Sequence, residues 1–390
     1  MTAGTIFLSA ADPSGDEHAA RLVKALLARR PQLRVVGVGG EAMQQAGCEV
    51  LLNTLSRASM GGGPLLAVPH WYRMLKRIQR ALRDVRPEVH VPVDSPALNW
   101  HVAAAAKAAG AKVFYYIAPQ VWAWGTWRVD KLRRLTDHVA CILPFEERYL
   151  RDRGVAASFV GHPLLDDMPP RPPVLPDITR AWADGTWRVV LLPGSRSGEI
   201  RAHVKALMSV ADAIRRRWSG AQCTVAARTD QCAARLAKAC ERHGVPIVVG
   251  QTRAVLAQSH FAVATSGTVT LEVANFGVPM VVFYKVPVLN YALVGRWVLN
   301  LPHLSLVNIL AGWRLVPEIM PWYGNTRSLA RTVLDTMYDL GGLSDMRKGL
   351  LEVVDSLRLA PPATASDNAA AMILDMVDAA RAQRAAEAPR

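Results

Sequence analysis

The sequence predicts an α/β protein of two doubly wound, Rossmann-like domains with a cleft between them, and three observations carry that reading. The chain has 390 residues, and at about 150 residues per domain that length suits two domains better than one. Short apolar runs alternate with helix-period segments in both halves, the pattern of parallel strands covered by helices. Between the halves, Pro163, Pro169, Pro170, Pro172, Pro173 and Pro176 crowd a stretch that suits neither helix nor sheet. The expected boundaries are a first domain over 1–165, a connector over 166–182 and a second domain over 183–358. A last segment, 359–390, is expected to be helical and to pack on the first domain or on a partner chain.

In the first half the strands are expected at Thr5–Ala10, Val35–Val38, Val89–Val93, Lys112–Ile117 and His138–Leu143. Helical segments such as Glu17–Ala28, Leu98–Ala109 and Arg128–Leu135 separate them. After the prolines the alternation restarts with Arg188–Leu192, Gln222–Ala226, Val245–Val249, His260–Thr265 and Pro279–Tyr284, with helices at Ile200–Trp218 and Asp230–His243. The Ala-rich tail Ser366–Ala386 reads as a helix with Ser366 as its N-cap.

Composition narrows the class. With 51% hydrophobic and 20% charged residues the chain is neither disordered nor collagen-like. Its 46 basic against 32 acidic residues give +14, which favours a polyanionic partner: nucleic acid, anionic lipid or a phosphorylated substrate. No recognisable nucleic-acid module accompanies the charge, so nucleic acid is not expected as a partner. No long uncharged apolar run suggests a transmembrane helix, and the first residues read as a strand rather than a signal peptide. Five cysteines without a CxxC pair suit free thiols in a reducing cytoplasm. No HExxH or HxH pattern occurs, so neither a metal nor any other cofactor is expected.

Candidate chemistry lies in the loops that follow strands, where open α/β sheets bind ligands. Ala11-Asp12-Pro13-Ser14-Gly15-Asp16 is a tight strand-to-helix turn whose amides suit an anion, or else an ordinary turn capped by Ser14 or Asp16. Asp94 ends a strand; losing solvation there would raise its pKa toward general-base use, and the alternative is a helix-capping acid. Tyr115 to Trp124, which includes Gln120 and Trp122, is either core or an apolar wall for a sugar or acyl chain. In the second half Pro193-Gly194-Ser195-Arg196 ends a buried strand. Arg196 suits phosphate oxygens, with Glu199 to orient it or simply to pair with it on the surface. Ser266, Gly267 and Thr268 open a helix whose start suits a diphosphate, with Glu272 in reach of a ribose, unless this is a plain capped helix start. Neither GxGxxG nor a Walker loop is present.

A helix from Pro69 to about Arg83 places Val68, Trp71, Leu75, Ile78 and Leu82 on one side and Arg73, Lys76, Arg77, Arg80 and Arg83 broadly opposite. With Leu65 and Leu66 ahead of it, the segment reads as an interfacial helix in which Leu65, Leu66, Trp71, Leu75, Arg73 and Arg77 meet an anionic bilayer. Packing on the sheet is the alternative.

The motifs, taken in order, resemble a known family. They are Ser14-Gly15-Asp16; Gly37-Val38-Gly39-Gly40 with Met43 and Gly47; Met60-Gly61; Asp94-Ser95-Pro96 with Asn99; and Pro119-Gln120-Val121-Trp122-Ala123-Trp124. Leu143-Pro144-Phe145-Glu146, Gly161-His162-Pro163, Leu192-Pro193-Gly194-Ser195-Arg196, Ser266-Gly267-Thr268 with Glu272, and Asn308 before Pro317-Glu318 follow. Across about residues 5 to 340 this is similar to the lipid-A-disaccharide synthases. The resemblance implies an inverting, metal-independent GT-B glycosyltransferase at the cytoplasmic membrane face. Such an enzyme joins UDP-2,3-diacylglucosamine to 2,3-diacylglucosamine 1-phosphate, forms a β-1,6 disaccharide and releases UDP.

On that resemblance Asp94 is the base, with Asp12 as alternative or orienting partner. Arg196 and Asn308 are active-site residues, and Ser195, Arg196, Glu199, Ser266, Gly267, Thr268 and Glu272 hold the UDP-sugar. Ser14, Gly15, Asp16, Met60, Gln120 and Trp122 lie on the acceptor side. A second copy of the chain is a candidate partner. Four positions depart from the family's pattern, Asp12, Pro64, Ala97 and Gly125, and all lie in the acceptor half. The competing readings are a GT-B enzyme with another lipid or glycan acceptor, and a non-catalytic UDP-sugar-binding relative.

Overall fold

The computed structural model describes residues 4–55, 64–123, 125–285, 302–359 and 364–387, with only the backbone described for 64–70. The chain forms two compact units, one of Met1–Asp167 with Leu357–Arg390 and one of Met168–Ser356.

In chain order the first unit holds β1 (Thr5–Ser9), α1 (Pro13–Arg29), β2 (Arg34–Gly39), α2 (Glu41–Gln45), β3 (Glu49–Asn53), α3 (Pro64–Val85) and β4 (Val89–Pro92). It continues with α4 (Pro96–Ala108), β5 (Lys112–Tyr116), α5 (Val129–Leu135), β6 (His138–Cys141), α6 (Pro144–Arg151) and β7 (Ala157–Phe159). Its parallel sheet runs β3-β2-β1-β4-β5-β6-β7. Side chains alternate across the pleat. Ile6 and Leu8 pack with Leu22, Val23 and Leu26 of α1, whereas Phe7 packs with Leu75, Ile78 and Leu82 of α3 and with Leu98 and Val102 of α4.

The second unit comprises α7 (Ile178–Asp184), β8 (Arg188–Leu192), α8 (Ser197–Arg217), β9 (Gln222–Ala227), α9 (Asp230–Arg242), β10 (Ile247–Val249) and α10 (Thr252–Leu256). After these come β11 (Phe261–Thr265), α11 (Val269–Asn275), β12 (Met280–Lys285), α12 (Leu306–Ala311), β13 (Glu318–Trp322), α13 (Thr326–Tyr338) and α14 (Leu340–Ser356). The sheet order is β10-β9-β8-β11-β12-β13, again parallel. The end of the expected connector belongs to the second unit, where Ile178 and Ala181 of α7 join the core.

The last helix, α15 (Ala365–Glu387), returns to the first unit, where Ile373, Leu374 and Val377 pack with the α1 face. Its cap differs from the expected Ser366. Thr364 Oγ1 accepts from Asp367 N at 3.0 Å, while the Ser366 hydroxyl donates to Asp166 at 2.8 Å. Asp166 also accepts from the amides of Ala365 and Ser366 at 2.9 and 3.1 Å, supplying the orphan N–H groups of the first turn with a carboxylate from a distant segment.

Each sheet reverses its strand order once, between β1 and β4 in the first and between β8 and β11 in the second. The carboxyl ends at such a reversal are where open α/β sheets hold ligands, because the loops there diverge to opposite faces. Asp12 and Asp94 follow β1 and β4; Arg196 and Ser266 follow β8 and β11.

Candidate active site

In the first unit the site is built on backbone strain. Asp94 and Ser95 both take left-handed conformations, with φ of 48° and 46°. For residues bearing a Cβ this costs of order 1–3 kcal/mol each and persists only where neighbours enforce it. The enforcer is Asn99, fully buried on α4. Its side-chain amide donates to the carbonyls of Asp94 at 2.6 Å, Val93 at 3.0 Å and Ser9 at 3.3 Å. The Ser9 hydroxyl donates back to Asn99 Oδ1 at 2.6 Å, and the Tyr115 hydroxyl donates to the Asp94 carbonyl at 2.9 Å. The carboxylate so held is half-buried. Burial pushes its pKa above the usual carboxylate range, and the charge of Asp12 adds to the rise against a bond from Ser95. Asp94 is not the cap of α4; that position falls to Ser95, without a side-chain cap bond.

Asp12 caps α1 by accepting from Gly15 N at 2.8 Å, and its other oxygen accepts from the Ser95 hydroxyl. The cap role considered for Ser14 or Asp16 therefore belongs to Asp12. Asp16 is buried and accepts from the amides of Gly40 at 2.8 Å, Ala42 at 3.0 Å and Met43 at 3.3 Å. Its carboxylate thus holds the start of α2. A Cβ on Gly40 would lie 2.5 Å from Asp16 Oδ2, which explains the glycine. Ser14 is exposed, and Gly15 is buried with its N–H on Asp12.

Gln120 is exposed, whereas Trp122 is buried and donates Nε1 to Glu146 Oε1 at 2.7 Å. Glu146 also accepts from Ile142 N and Leu143 N at 3.1 and 3.0 Å. Burial pushes its pKa up to about 7 against those donors. Trp122 is thus a core anchor for its loop rather than an open wall for an acyl chain. Met60 and Trp124 lie outside the described residues.

Leu75 is not free to face lipid as expected, whereas Trp71 is half-buried. Leu75 is buried with Ile78 and Leu82 against the sheet, and Trp71 packs on the same cluster, its ring edge-on to His101 at 4.9 Å. An apolar stripe of period 3.6 serves either purpose, and here the sheet takes it. Arg73, Lys76, Arg77, Arg80 and Arg83 remain exposed. The side chains of Leu65 and Leu66 lie outside the described residues. Among the described residues no helix is long and apolar enough to cross a membrane.

In the second unit the strand ends carry a cation and a small-residue turn. Glu199, on the first turn of α8, accepts from Ser195 N and Arg196 N at 3.2 Å each and from Arg196 Nη1 at 3.0 Å. Burial raises the Glu199 pKa, but the Arg196 and Ser195 donors outweigh it and leave the carboxyl below its ordinary value. The Arg196 side chain stays 84% exposed, so the pair orients the guanidinium without hiding it. Gly194, at φ 92°, admits nothing larger, since a Cβ would meet Glu199 Oε2 at 2.7 Å.

The turn after β11 exposes Gly267 and Thr268, with Ser266 half-buried. Glu272 lies 3.7 Å from Arg253. Burial raises its pKa, and Arg253 and Arg228 pull it back. Asn308 is not open to substrate. It is fully buried, donates to Val316 O and Glu318 Oε2 at 3.0 Å each, and accepts from Val316 N at 2.8 Å. Glu318 also takes Ser305 N at 2.9 Å. The Asn308 side chain thereby ties α12 to β13 and the residues before it.

Sequence reasoning missed Glu146 as the brace of the Trp122 loop, and the His203–Tyr284–Lys285 group beside Glu199. The only signal for Lys285 was a lysine ending an otherwise apolar strand.

Two doubly wound parallel α/β units, each with one strand-order reversal, make up a GT-B fold. Solved structures similar in fold include a putative UDP-N-acetylglucosamine 2-epimerase from Listeria monocytogenes, with a TM-score of 0.62 at 12% identity over 97% of this chain and 96% of that one. The Acinetobacter baumannii MurG structure has a TM-score of 0.54 at 12% identity over 96% and 99%. The family model described as lipid-A-disaccharide synthetase matches residues 6–335. The lipid-A-disaccharide synthase of Geobacter metallireducens is 35% identical over 378 residues, covering 95% of this chain and 97% of its own. That of Syntrophus aciditrophicus is 34% identical over 399 residues, covering 97% and 99%. The chain belongs to the lipid-A-disaccharide synthase family and is a hexosyltransferase of lipid A biosynthesis.

Proposed function

We propose that this chain transfers the sugar of UDP-2,3-diacylglucosamine to the 6-hydroxyl of 2,3-diacylglucosamine 1-phosphate, with Asp94 as general base. The acceptor oxygen attacks the anomeric carbon on the side opposite UDP and gives its proton to Asp94. The bond to UDP breaks with its electron pair, UDP leaves, and the β-1,6 disaccharide 1-phosphate forms. Arg196 and the turn Ser266–Thr268 stabilise the charge gathering on the diphosphate, the role a metal fills in other transferases. The observation that carries this reading is Asp94 itself: a carboxylate held in a left-handed turn at a strand-order reversal, its pKa raised by burial and by Asp12. A proton acceptor works best when its pKa approaches the working pH. Glu272 is the proposed ribose contact, which requires that it turn from Arg253.

The same reading places the enzyme peripherally on the inner face of the cytoplasmic membrane, where both acylated substrates reside. The basic face of α3 meets anionic headgroups there. The test is turnover with the purified chain and the two acylated substrates. Disaccharide and UDP should appear in equal amounts and persist in EDTA. UDP release with another acceptor alone, or UDP binding without turnover, would overturn the reading, and loss of activity in EDTA would overturn its metal-free part.

A further inference from the structure

The end of β12 has not yet been given a role. The strand is buried over Met280–Phe283, then emerges through a half-buried Tyr284 to an exposed Lys285. In the ladder Thr265 of β11 pairs with Phe283, so Lys285 stands two residues past that pair, as Gly267 does on the β11 side. Because β8 and β12 flank β11, Arg196 and Lys285 rise on either side of the Ser266–Thr268 turn, their strands about 10 Å apart.

One face of α8 fixes both ends. Glu199 gathers the Ser195–Arg196 turn and accepts from the Tyr284 hydroxyl at 3.4 Å. One turn on, the fully buried His203 accepts from Lys285 N through Nε2 at 3.0 Å. Its ring meets those of Phe283 and Tyr284, each at 5.2 Å. Burial lowers the pKa of this imidazole, which favours the neutral form whose Nε2 can accept. The backbone of Lys285 is therefore anchored by a buried side chain, while its exposed ammonium has no carboxylate partner among the described residues. A lysine presented in this way beside a second cation and an exposed small-residue turn suits an anion with two charged groups.

We infer that Lys285 is a second cationic contact for the diphosphate of the nucleotide-sugar donor, opposite Arg196 across the β11 turn. This rests on the donor-site reading above and adds a residue to it. Its side chain binds as a point charge that follows the leaving diphosphate, complementing the forked guanidinium of Arg196.

The test measures UDP and uridine affinity by equilibrium dialysis for the intact chain and for Lys285→Met, Lys285→Gln and Lys285→Arg, with Lys205→Met on the exposed face of α8 as control. Lys285→Met and Lys285→Gln should weaken UDP by about tenfold or more, the range of a lost charge-assisted hydrogen bond. Uridine affinity and melting temperature should hold, Lys285→Arg should restore most of the UDP affinity, and Lys205→Met should match the parent. A parent chain that fails to bind UDP would sink the donor-site reading itself. A parent that binds UDP, with Lys285→Met and Lys285→Gln binding it equally well, would overturn only the role of Lys285. Equal losses for UDP and uridine would overturn it too, since the contact would then not be to phosphate.

Discussion

At the carboxyl ends of β1 and β4 the first unit sets two carboxylates, Asp12 and Asp94, the second of them on a strained backbone braced by Asn99, Ser9 and Tyr115. At the ends of β8, β11 and β12 the second unit sets Arg196, a small-residue turn and Lys285 on an unstrained frame tied down by Glu199 and His203. The same topology thus carries opposite charge and opposite mechanical character. A proton acceptor needs fixed geometry and partial loss of water, so rigidity and burial belong with Asp94. In the proposed mechanism the diphosphate meets a cation that stays hydrated until it arrives, which suits the exposure of Arg196.

The largest effect should come from the strained side. Asp94→Asn keeps the shape of the turn and removes the base, so kcat should fall by roughly 10² or more, the usual span of general-base catalysis. UDP affinity, a property of the other unit, should not change. Steady-state kinetics beside UDP binding checks this. If Asp94→Asn stays active and Asp12→Asn does not, the base is Asp12.

The mirror experiment is Arg196→Ala. It should weaken UDP binding and lower kcat/KM by about tenfold or more, since a charge-assisted bond to the leaving group is worth roughly 1.5–3 kcal/mol. The pH dependence conferred by Asp94 should survive in this variant. Normal kinetics in Arg196→Ala would erase the contrast between the units from the donor side.

The asymmetry also explains what could be read from the chain. Central strands such as Arg188–Leu192 are legible because both faces are buried, giving continuous apolar runs. The edge strands β3, β7 and β13, short and partly exposed, are not, whereas the equally short edge strand β10 is, because its residues Ile247, Val248 and Val249 are all apolar. Asp94 and Arg196 are legible because a charged residue ending an apolar run is a local signal. The left-handed backbone at Asp94 and Ser95 is not, because neither is glycine and the cause is a brace supplied by Asn99 and Tyr115. The contacts of Asp16 and Asn308 were not legible for a related reason. Gly40, Met43 and Glu318 stand in the quoted motifs, but nothing local says that they bond to Asp16, 24 to 27 residues away, or to Asn308. The apolar stripe of α3 has one period whether it meets lipid or a sheet.

A subtler test concerns the two carboxylates together. The Asp94 pKa is raised by burial first and by Asp12 second. Activity requires the ionised base, so kcat should drop as pH falls through that raised pKa, placing the acid limb above the range of an ordinary aspartate. Asp12→Asn removes the repulsion and leaves the burial. The limb should therefore move to lower pH without reaching the value of a free aspartate. A pH–rate profile of both enzymes measures the move, and an unmoved limb would mean that Asp12 acts only as the cap of α1.

The smallest effect should fall on the outer surface of the first unit, where α3 presents a basic face while its Leu75, Ile78 and Leu82 are committed to the core. With that stripe packed on the sheet, the proposed attraction to the membrane through this part of the helix would be electrostatic, at about 1 kcal/mol per basic residue near an anionic surface. Arg77→Gln should then reduce binding to vesicles of phosphatidylglycerol and phosphatidylethanolamine by about fivefold and leave turnover of detergent-dispersed substrates unchanged. Salt should weaken the parent's binding, because exposed charges are screened over about 10 Å at 0.1 M. The equivalent substitution on the second unit, Lys205→Gln, should leave vesicle binding alone. Co-sedimentation at two salt concentrations decides the matter. Salt-independent binding that survives Arg77→Gln would move the lipid contact off this face of α3, and equal losses from Arg77→Gln and Lys205→Gln would reduce the effect to net charge.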